Sequence, residues 1–169
     1  WSFRENISPS ALSVTLDGKN TAVGTQNGLV FLNSRGRVLW FNKKIRRIKD
    51  VSVSTRSGKI AVGSSQRVLY LVNLKGESLW HRELDSSVIA VSISSRGNLI
   101  AIGTDEGKLM LFNSKGKKMW EVHLSNSDFS VNSVDITSDG EFIVAGTDYS
   151  HLYLYDSSGK VLWSKETGS

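Results

Sequence analysis

The sequence predicts an all-β protein assembled from four copies of one unit of about 40 residues. Three observations carry this expectation. The five tryptophans of the chain stand at positions 1, 40, 80, 120 and 163, at intervals of 39, 40, 40 and 43 residues. Other landmarks keep the same step: Gly24, Gly63, Gly103 and Gly146 each end an apolar run, Asn33, Asn73, Asn113 and Asp156 each stand seven residues before a Trp, and Gly36, Gly76, Gly116 and Gly159 stand four before it. Within each unit, short apolar segments alternate with Gly-containing turn sequences, and no segment is long enough for a typical helix.

The third unit shows the elements in order. "VIAVSIS" (88–94), "NLIAIGT" (98–104), "KLMLFNS" (108–114) and "KKMWEVHL" (117–124) are rich in Val, Ile, Leu and aromatics, and "SRG", "DEG" and "SKG" separate them. The first segment alternates, with Val51 and Val53, Val91 and Ile93, or Val134 and Ile136 flanking Ser52, Ser92 or Asp135. Small or polar residues at that position suit an innermost strand, where space is tight. The second and third segments are nearly continuous apolar runs, as expected of strands covered on both faces. The fourth segment carries the Trp, a large rigid ring suited to bracing one sheet on the next. Trp40, Trp80, Trp120 and Trp163 are therefore expected to be blade-docking residues.

Four strands joined by tight turns form an antiparallel meander, and such a sheet cannot bury both faces alone. Stacking the sheets around an axis yields a β-propeller of four four-stranded antiparallel blades. The blades are expected at about 7–43, 44–84, 85–125 and 126–169, with 1–6 ("WSFREN") as an extra outer strand. A closed ring needs one outer strand per blade, so this additional copy suggests part of a larger ring. Three arrangements are compatible with it: a fragment of a propeller of seven or eight blades, two copies joined into an eight-bladed ring, or four blades closing alone.

Composition narrows the functional classes. The chain has 169 residues, 39% of them hydrophobic, and no cysteine, which removes disulfides, thiolate metal sites and thiol nucleophiles. No apolar run reaches the ~18–20 residues of a membrane-spanning helix. The chain opens on Trp1 rather than Met, so a processed or trimmed N-terminus is expected, and the compartment is left open.

The formal net charge is +5, and most of it sits in "KKIRRIKD" (43–50), where Lys43, Lys44, Arg46, Arg47 and Lys49 face a single acid, Asp50. This stretch joins an outer strand to the next inner strand, and the corresponding connections (4–10, 82–87, 123–130) are not basic. A loop that departs from its repeat is where a function grafted onto a scaffold is expected. Its chemistry suits an acidic protein surface or a phosphate-bearing ligand. Phe41 is its only aromatic neighbour, so a platform for stacking single-stranded nucleic acid is poorly supported.

Elsewhere candidates are sparse. His81, His123 and His151 fall in different units without metal-ligand spacing, and no metal site is expected. Asp105 and Asp148 occupy equivalent turns where Gln26 and Ser65 stand in the other units, which reads as a turn position with loose demands. Asp135 replaces the Ser of the other inner strands, so it is a candidate channel-lining group or a hydrogen-bond partner for the neighbouring blade. No catalytic motif or pair of catalytic carboxylates can be picked out.

"LYLYDSSGKVLW" (152–163), "MLFNSKGKKMW" (110–120) and "VFLNSRGRVLW" (30–40) resemble the repeat of quinoprotein-like propellers, in which an apolar strand, an Asp, a Gly-Lys turn and a Trp form a tryptophan-docking motif. "VNSVDITSDGEFIVAGTD" (131–148) resembles the inner half of a WD repeat, and the mixture is similar to propeller repeats of archaeal and some bacterial proteins. The resemblance covers the whole chain and implies the propeller fold. Quinoprotein dehydrogenases hold their quinone with a vicinal disulfide, a metal and acidic residues, none of which has a counterpart here. The Trp-Asp of true WD repeats is replaced by "FLNS", "LVNL", "LFNS" and "LYDS". The expected function is a non-catalytic scaffold, without cofactor, that presents its loop rim to a protein partner. The alternatives are a channel-based small-molecule or anion sensor, or a quinoprotein-like enzyme fragment lacking its cofactor site.

Overall fold

A computed structural model describes residues 8–124 and 129–168. The expected extra strand at 1–6 lies outside the described residues. The described chain holds sixteen strands in four sheets. In sheet 1, β1 (Pro9–Val14), β2 (Asn20–Thr25), β3 (Leu29–Asn33) and β4 (Val38–Asn42) follow in order. Sheet 2 contains β5 (Ile48–Val53), β6 (Lys59–Ser64), β7 (Val68–Asn73) and β8 (Ser78–Glu83). Sheet 3 contains β9 (Val88–Ile93), β10 (Leu99–Thr104), β11 (Lys108–Asn113) and β12 (Lys118–His123). Sheet 4 contains β13 (Val131–Ile136), β14 (Phe142–Thr147), β15 (His151–Asp156) and β16 (Val161–Glu166). All neighbours pair antiparallel. Each sheet is one blade, and the architecture is propeller-like, as the repeat predicts.

The turn between the third and fourth strands explains two landmarks of the repeat. The Asn73 Oδ1 accepts the backbone N–H groups of Lys75 and Glu77, at 2.9 and 3.0 Å. Asn33, Asn113 and Asp156 do the same two and four residues on in their own blades. This side chain stands in for backbone partners that a tight turn lacks. Two residues before the next strand, Gly36, Gly76, Gly116 and Gly159 take φ between 73° and 87°, a left-handed conformation that costs glycine nothing.

The fourth strand carries a bulge at the residue before each Trp, because the pairing jumps from Val72↔Ser78 to Leu71↔Trp80 and does likewise in the other blades. A bulge re-aims the side chain that follows it. It turns the Trp toward the next blade and leaves Leu39, Leu79, Met119 and Leu162 facing solvent.

Three hydrophobic clusters lie at the junctions between successive blades. Ile48, Val51 and Val62 join Ala22, Leu29 and Phe31 in the first, Val88 and Ile102 join Leu69 and Leu71 in the second, and Val131 and Ile143 join Leu109 and Leu111 in the third. The inner strands pack in chain order, β1 on β5, β5 on β9 and β9 on β13, and no comparable packing of described residues joins β13 back to β1. The middle blades are consequently covered on both faces, whereas β15 and β16 of the last blade are half-buried and exposed.

Candidate functional site

The basic segment spans the connection between β4 and β5. Ile45 and Ile48 are buried and pin it to the core, which leaves Lys43, Lys44, Arg46, Arg47 and Lys49 on the surface. Its backbone is held as well. Arg47 N–H donates to Gln26 O at 3.0 Å, Ser65 N–H donates to Arg47 O at 3.0 Å, and Ser64 Oγ donates to Arg46 O at 2.7 Å. The Ser65–Arg47 bond recurs as Asp105 N–H to Ser87 O at 3.1 Å and Asp148 N–H to Ser130 O at 3.2 Å. The loop therefore shares the backbone frame of its counterparts and differs in side chains. Arg47 sits at φ 50°, and the Arg46 Nε folds back to donate to Lys43 O at 3.0 Å.

The fold divides the five cations. Lys43 and Lys44 line a groove of about 780 Å³ between the first two blades, with Trp40, Tyr70, Lys75 and Glu83 among its walls. The Lys43 Nζ stands 5.1 Å from the centroid of the Phe41 ring. Arg46 and Arg47 lie beyond the groove on the loop itself, and Lys49 projects from β5. Glu77 also lines the groove, so its lysines face two carboxylates rather than forming a purely cationic wall. Burial pushes the Tyr70 hydroxyl pKa up, and the nearby Glu83 carboxylate adds to that rise.

The innermost strands carry the second set of polar groups. Asp135 Oδ1 accepts from Ser92 Oγ at 2.9 Å, so its carboxylate is tied to the neighbouring blade while remaining exposed. Ser13, Ser52 and Ser92 occupy the equivalent position in the other blades and accept backbone N–H groups from the following blade: Val53 at 3.0 Å, Ile93 at 3.3 Å and Ile136 at 3.3 Å. These residues stitch blades together, which is more than filling a tight space. Asp50, passed over in the sequence as a counter-charge to the basic run, belongs to the same stitching. Its Oδ2 accepts from Val91 N–H of the next blade and its Oδ1 from Val51 N–H, both at 2.8 Å. Burial raises its pKa, while these two amides favour the charged form and oppose that rise.

Asp105 and Asp148 are also more than permissive turn residues. They accept the N–H groups of Ser87 at 2.8 Å and Ser130 at 3.0 Å, capping the adjacent connections. At the opposite end of the inner strands the turns between first and second strands converge around a hollow of about 470 Å³ that includes Arg56, Arg96, Asn98 and Asp139. Arg56 N–H donates to Ser95 O at 2.9 Å and Ser95 N–H to Ser138 O at 3.0 Å, which links these turns in series. The only sequence signal for this mouth was an Arg in each of "TRSG" and "SRGN". Among the described residues no three His, Asp or Glu side chains converge as metal ligands would, and no helix is long and apolar enough to cross a membrane.

The tryptophans mark how consecutive blades join. Trp40 Nε1 donates to Leu74 O at 2.7 Å, Trp80 Nε1 to Ser114 O at 2.9 Å and Trp120 Nε1 to Ser157 O at 3.0 Å. Each acceptor lies in the third-to-fourth-strand turn of the following blade. The rings lie on Gly76, Gly116 and Gly159, where an added Cβ would stand 2.9 Å from the indole in the Trp40 and Trp120 cases and 3.0 Å in that of Trp80. Trp163, on the last described strand, is 45% exposed, and no described blade follows it.

Four antiparallel blades packed through their inner strands define a propeller-like fold. Comparison with known proteins agrees at that level. Residues 91–169 match the family described as the anaphase-promoting complex subunit 4 WD40 domain. The Kuenenia stuttgartiensis hydrazine synthase superposes with a TM-score of 0.80 at 15% identity, over 98% of this chain and 52% of that one, so this chain spans about half the length of that neighbour. At that identity the likeness is one of fold, and a fold selects no chemistry. No curated protein matches the sequence significantly.

Proposed function

We propose that the chain is a non-catalytic propeller scaffold whose 43–49 loop forms the contact surface for an acidic partner protein. The observation that carries this reading is the contrast within one loop. Its backbone is anchored like that of its counterparts, while five of its seven side chains are cationic. A rigid frame with one altered loop is how a repeat scaffold acquires a specific contact. The WD-repeat-like fold favours an interaction role in general. Rim charges of this kind act mainly through attraction and orientation of the partner, and salt screens them. The tryptophan–glycine contacts support the tryptophan-docking reading of the repeat, as a device for holding the rim rigid.

The test compares the chain with a variant carrying Lys43→Ser, Lys44→Ser, Arg46→Ser and Arg47→Ser. Both are used as immobilised bait for a mixture of native proteins, and captured proteins are quantified at low and moderate salt. Loss of salt-sensitive acidic proteins by the variant is the expected result. An unchanged capture profile removes the loop as the site.

A further inference from the structure

The turn between β6 and β7 lies against the basic loop, and it differs from its sister turns in charge. Ser65 N–H donates to Arg47 O at 3.0 Å, and the buried Ser64 Oγ donates to Arg46 O and Arg47 O at 2.7 and 3.3 Å. The turn is thus clamped onto the two arginine residues. On its other side Leu84 N–H donates to Arg67 O, as Leu124 N–H does to Gly107 O and Thr167 N–H to Ser150 O, so 65–67, 105–107 and 148–150 are equivalent turns. Asp-Glu-Gly at 105–107 carries two acids and Asp-Tyr-Ser at 148–150 carries one, whereas Ser-Gln-Arg at 65–67 carries one cation and no acid. The shorter first turn, Gln-Asn-Gly at 26–28, is uncharged. The one basic turn of this set therefore adjoins the one basic loop.

Two positions make that difference. Asp105 Oδ1 and Asp148 Oδ1 accept the N–H groups of the connection residues Ser87 and Ser130, at 2.8 and 3.0 Å. Ser65 holds that place at the basic loop, and Arg47 N–H donates to Gln26 O. A carboxylate at position 65 would stand beside Arg47 and oppose its charge. Position 67 requires a left-handed backbone: φ is 64° at Arg67, 75° at Gly107 and 59° at Ser150. Glycine adopts that conformation freely, and a residue with a Cβ is strained in it. Arg47 is strained in the same sense, at φ 50°. Both arginines are exposed, and the segments that carry them are fastened to each other. Strain kept at two such residues suits a surface shaped for contact more than one shaped for stability.

We propose that the β6–β7 turn is the second half of the rim site, and that Arg67 joins Arg46 and Arg47 in gripping neighbouring carboxylates of an acidic peptide segment. This inference rests on the rim reading above and extends it to a second element. Each guanidinium presents a planar fork of N–H donors that matches the two oxygens of a carboxylate. A contact of this kind contributes more to binding where the backbone is already fixed, because less freedom is lost when the partner arrives. The hydrogen bonds of Ser64 and Ser65 and the buried Ile45 and Ile48 supply that fixing. The equivalent turn of the next blade is built the other way. There Glu106 stands 3.6 Å from Lys108 Nζ, so acid meets base within the chain. The 65–67 turn adds no acid to the three arginines, and an acidic partner is the one its charge fits.

The test follows the fluorescence anisotropy of a labelled deca-glutamate peptide titrated with the 169-residue chain at about 50 mM salt. Two variants install residues that sister turns already carry, so the fold accommodates them: Arg67→Gly, as in the third blade, and Ser65→Asp, as in the third and fourth. Lys19→Ser removes an exposed cation from the β1–β2 turn, at the other end of the first blade, and controls for net charge. Arg67→Gly and Ser65→Asp are each expected to weaken binding about threefold or more, within the range of one exposed charge contact, and Lys19→Ser by less. Their urea midpoints are expected to match or exceed the wild type's, since the first relieves strain and the second restores a cap. If the four-Ser loop variant loses binding while Arg67→Gly and Ser65→Asp keep it, this inference fails and the rim reading stands. If the four-Ser variant also binds as the wild type does, both fail. Losses no greater than that of Lys19→Ser overturn the inference, and so does the absence of wild-type binding at about 1 mM chain.

Discussion

The inner-strand carboxylate Asp50 shows how one residue type acquires a role from its surroundings. Removed from water, its charged form loses hydration, and burial is the dominant influence that raises its pKa above the ordinary 3.8. The Val91 and Val51 amides recover part of that loss. With the folded pKa above the unfolded one, the proton binds more tightly to the folded chain. The stabilising contribution is therefore fully present below 3.8 and lost as pH rises through the elevated folded value. Asp50→Asn cannot ionise, so its stability relative to wild type is expected to improve as pH increases from about 3 to about 7. Urea unfolding of both proteins across that range measures the difference. A pH-independent gap would show that the carboxylate is equally well solvated folded and unfolded. The Asp itself is plain in the sequence, but its partner amide lies 41 residues away on another blade.

At the scale of the strand, the fourth element of each blade performs two tasks. Its bulge sends the Trp sideways, and its indole N–H reaches the next blade's turn. Trp80 separates these tasks experimentally. Trp80→Phe retains a ring but removes the donor to Ser114 O, an expected loss of about 1 kcal/mol. Trp80→Ala removes the packing as well, and about 3–5 kcal/mol is expected. Urea denaturation of both variants is the measurement, and equal losses would mean that the ring itself contributes little. The strands and the turns between them were legible in the sequence because their signals are local: a run of β-branched residues, an Asn two and four residues before the amides it accepts, a glycine at positive φ. The bulge was not legible. Leu79 reads as one more apolar strand residue, and only the pairing of Trp80 with Leu71 shows that it is displaced to solvent.

Across the whole molecule, stability is expected to follow the number of neighbours a blade has. In a quasi-one-dimensional stack each unit is held by its own hydrogen bonds and by its junctions. The middle blades, with no exposed residue in β6, β7, β10 or β11, have two junctions each. The end blades have one within the chain. Amide hydrogen exchange on dilute chain should therefore be slowest in β6, β7, β10 and β11 and faster in β1, β15 and β16. Uniform protection in dilute solution would mean that the end blades are as well supported as the middle ones.

The 40-residue period, the all-β class, the four strands per unit and the basic character of the 43–49 loop follow from residue order alone. Each is encoded within a single unit, where a strand of alternating or continuous apolar residues ends at a turn with its own chemistry. What the chain order could not convey is how units meet. Trp40 and Trp80 look identical to Trp163 in sequence, yet two are seated and one is exposed, because seating depends on a neighbouring blade presenting its turn at the right angle. The same distance explains why Lys43 and Lys44 share a groove with Lys75 and Glu83 while Arg46 does not. Contacts between side chains more than thirty residues apart arise from the stacking of finished sheets, and that stacking is not written in any single repeat.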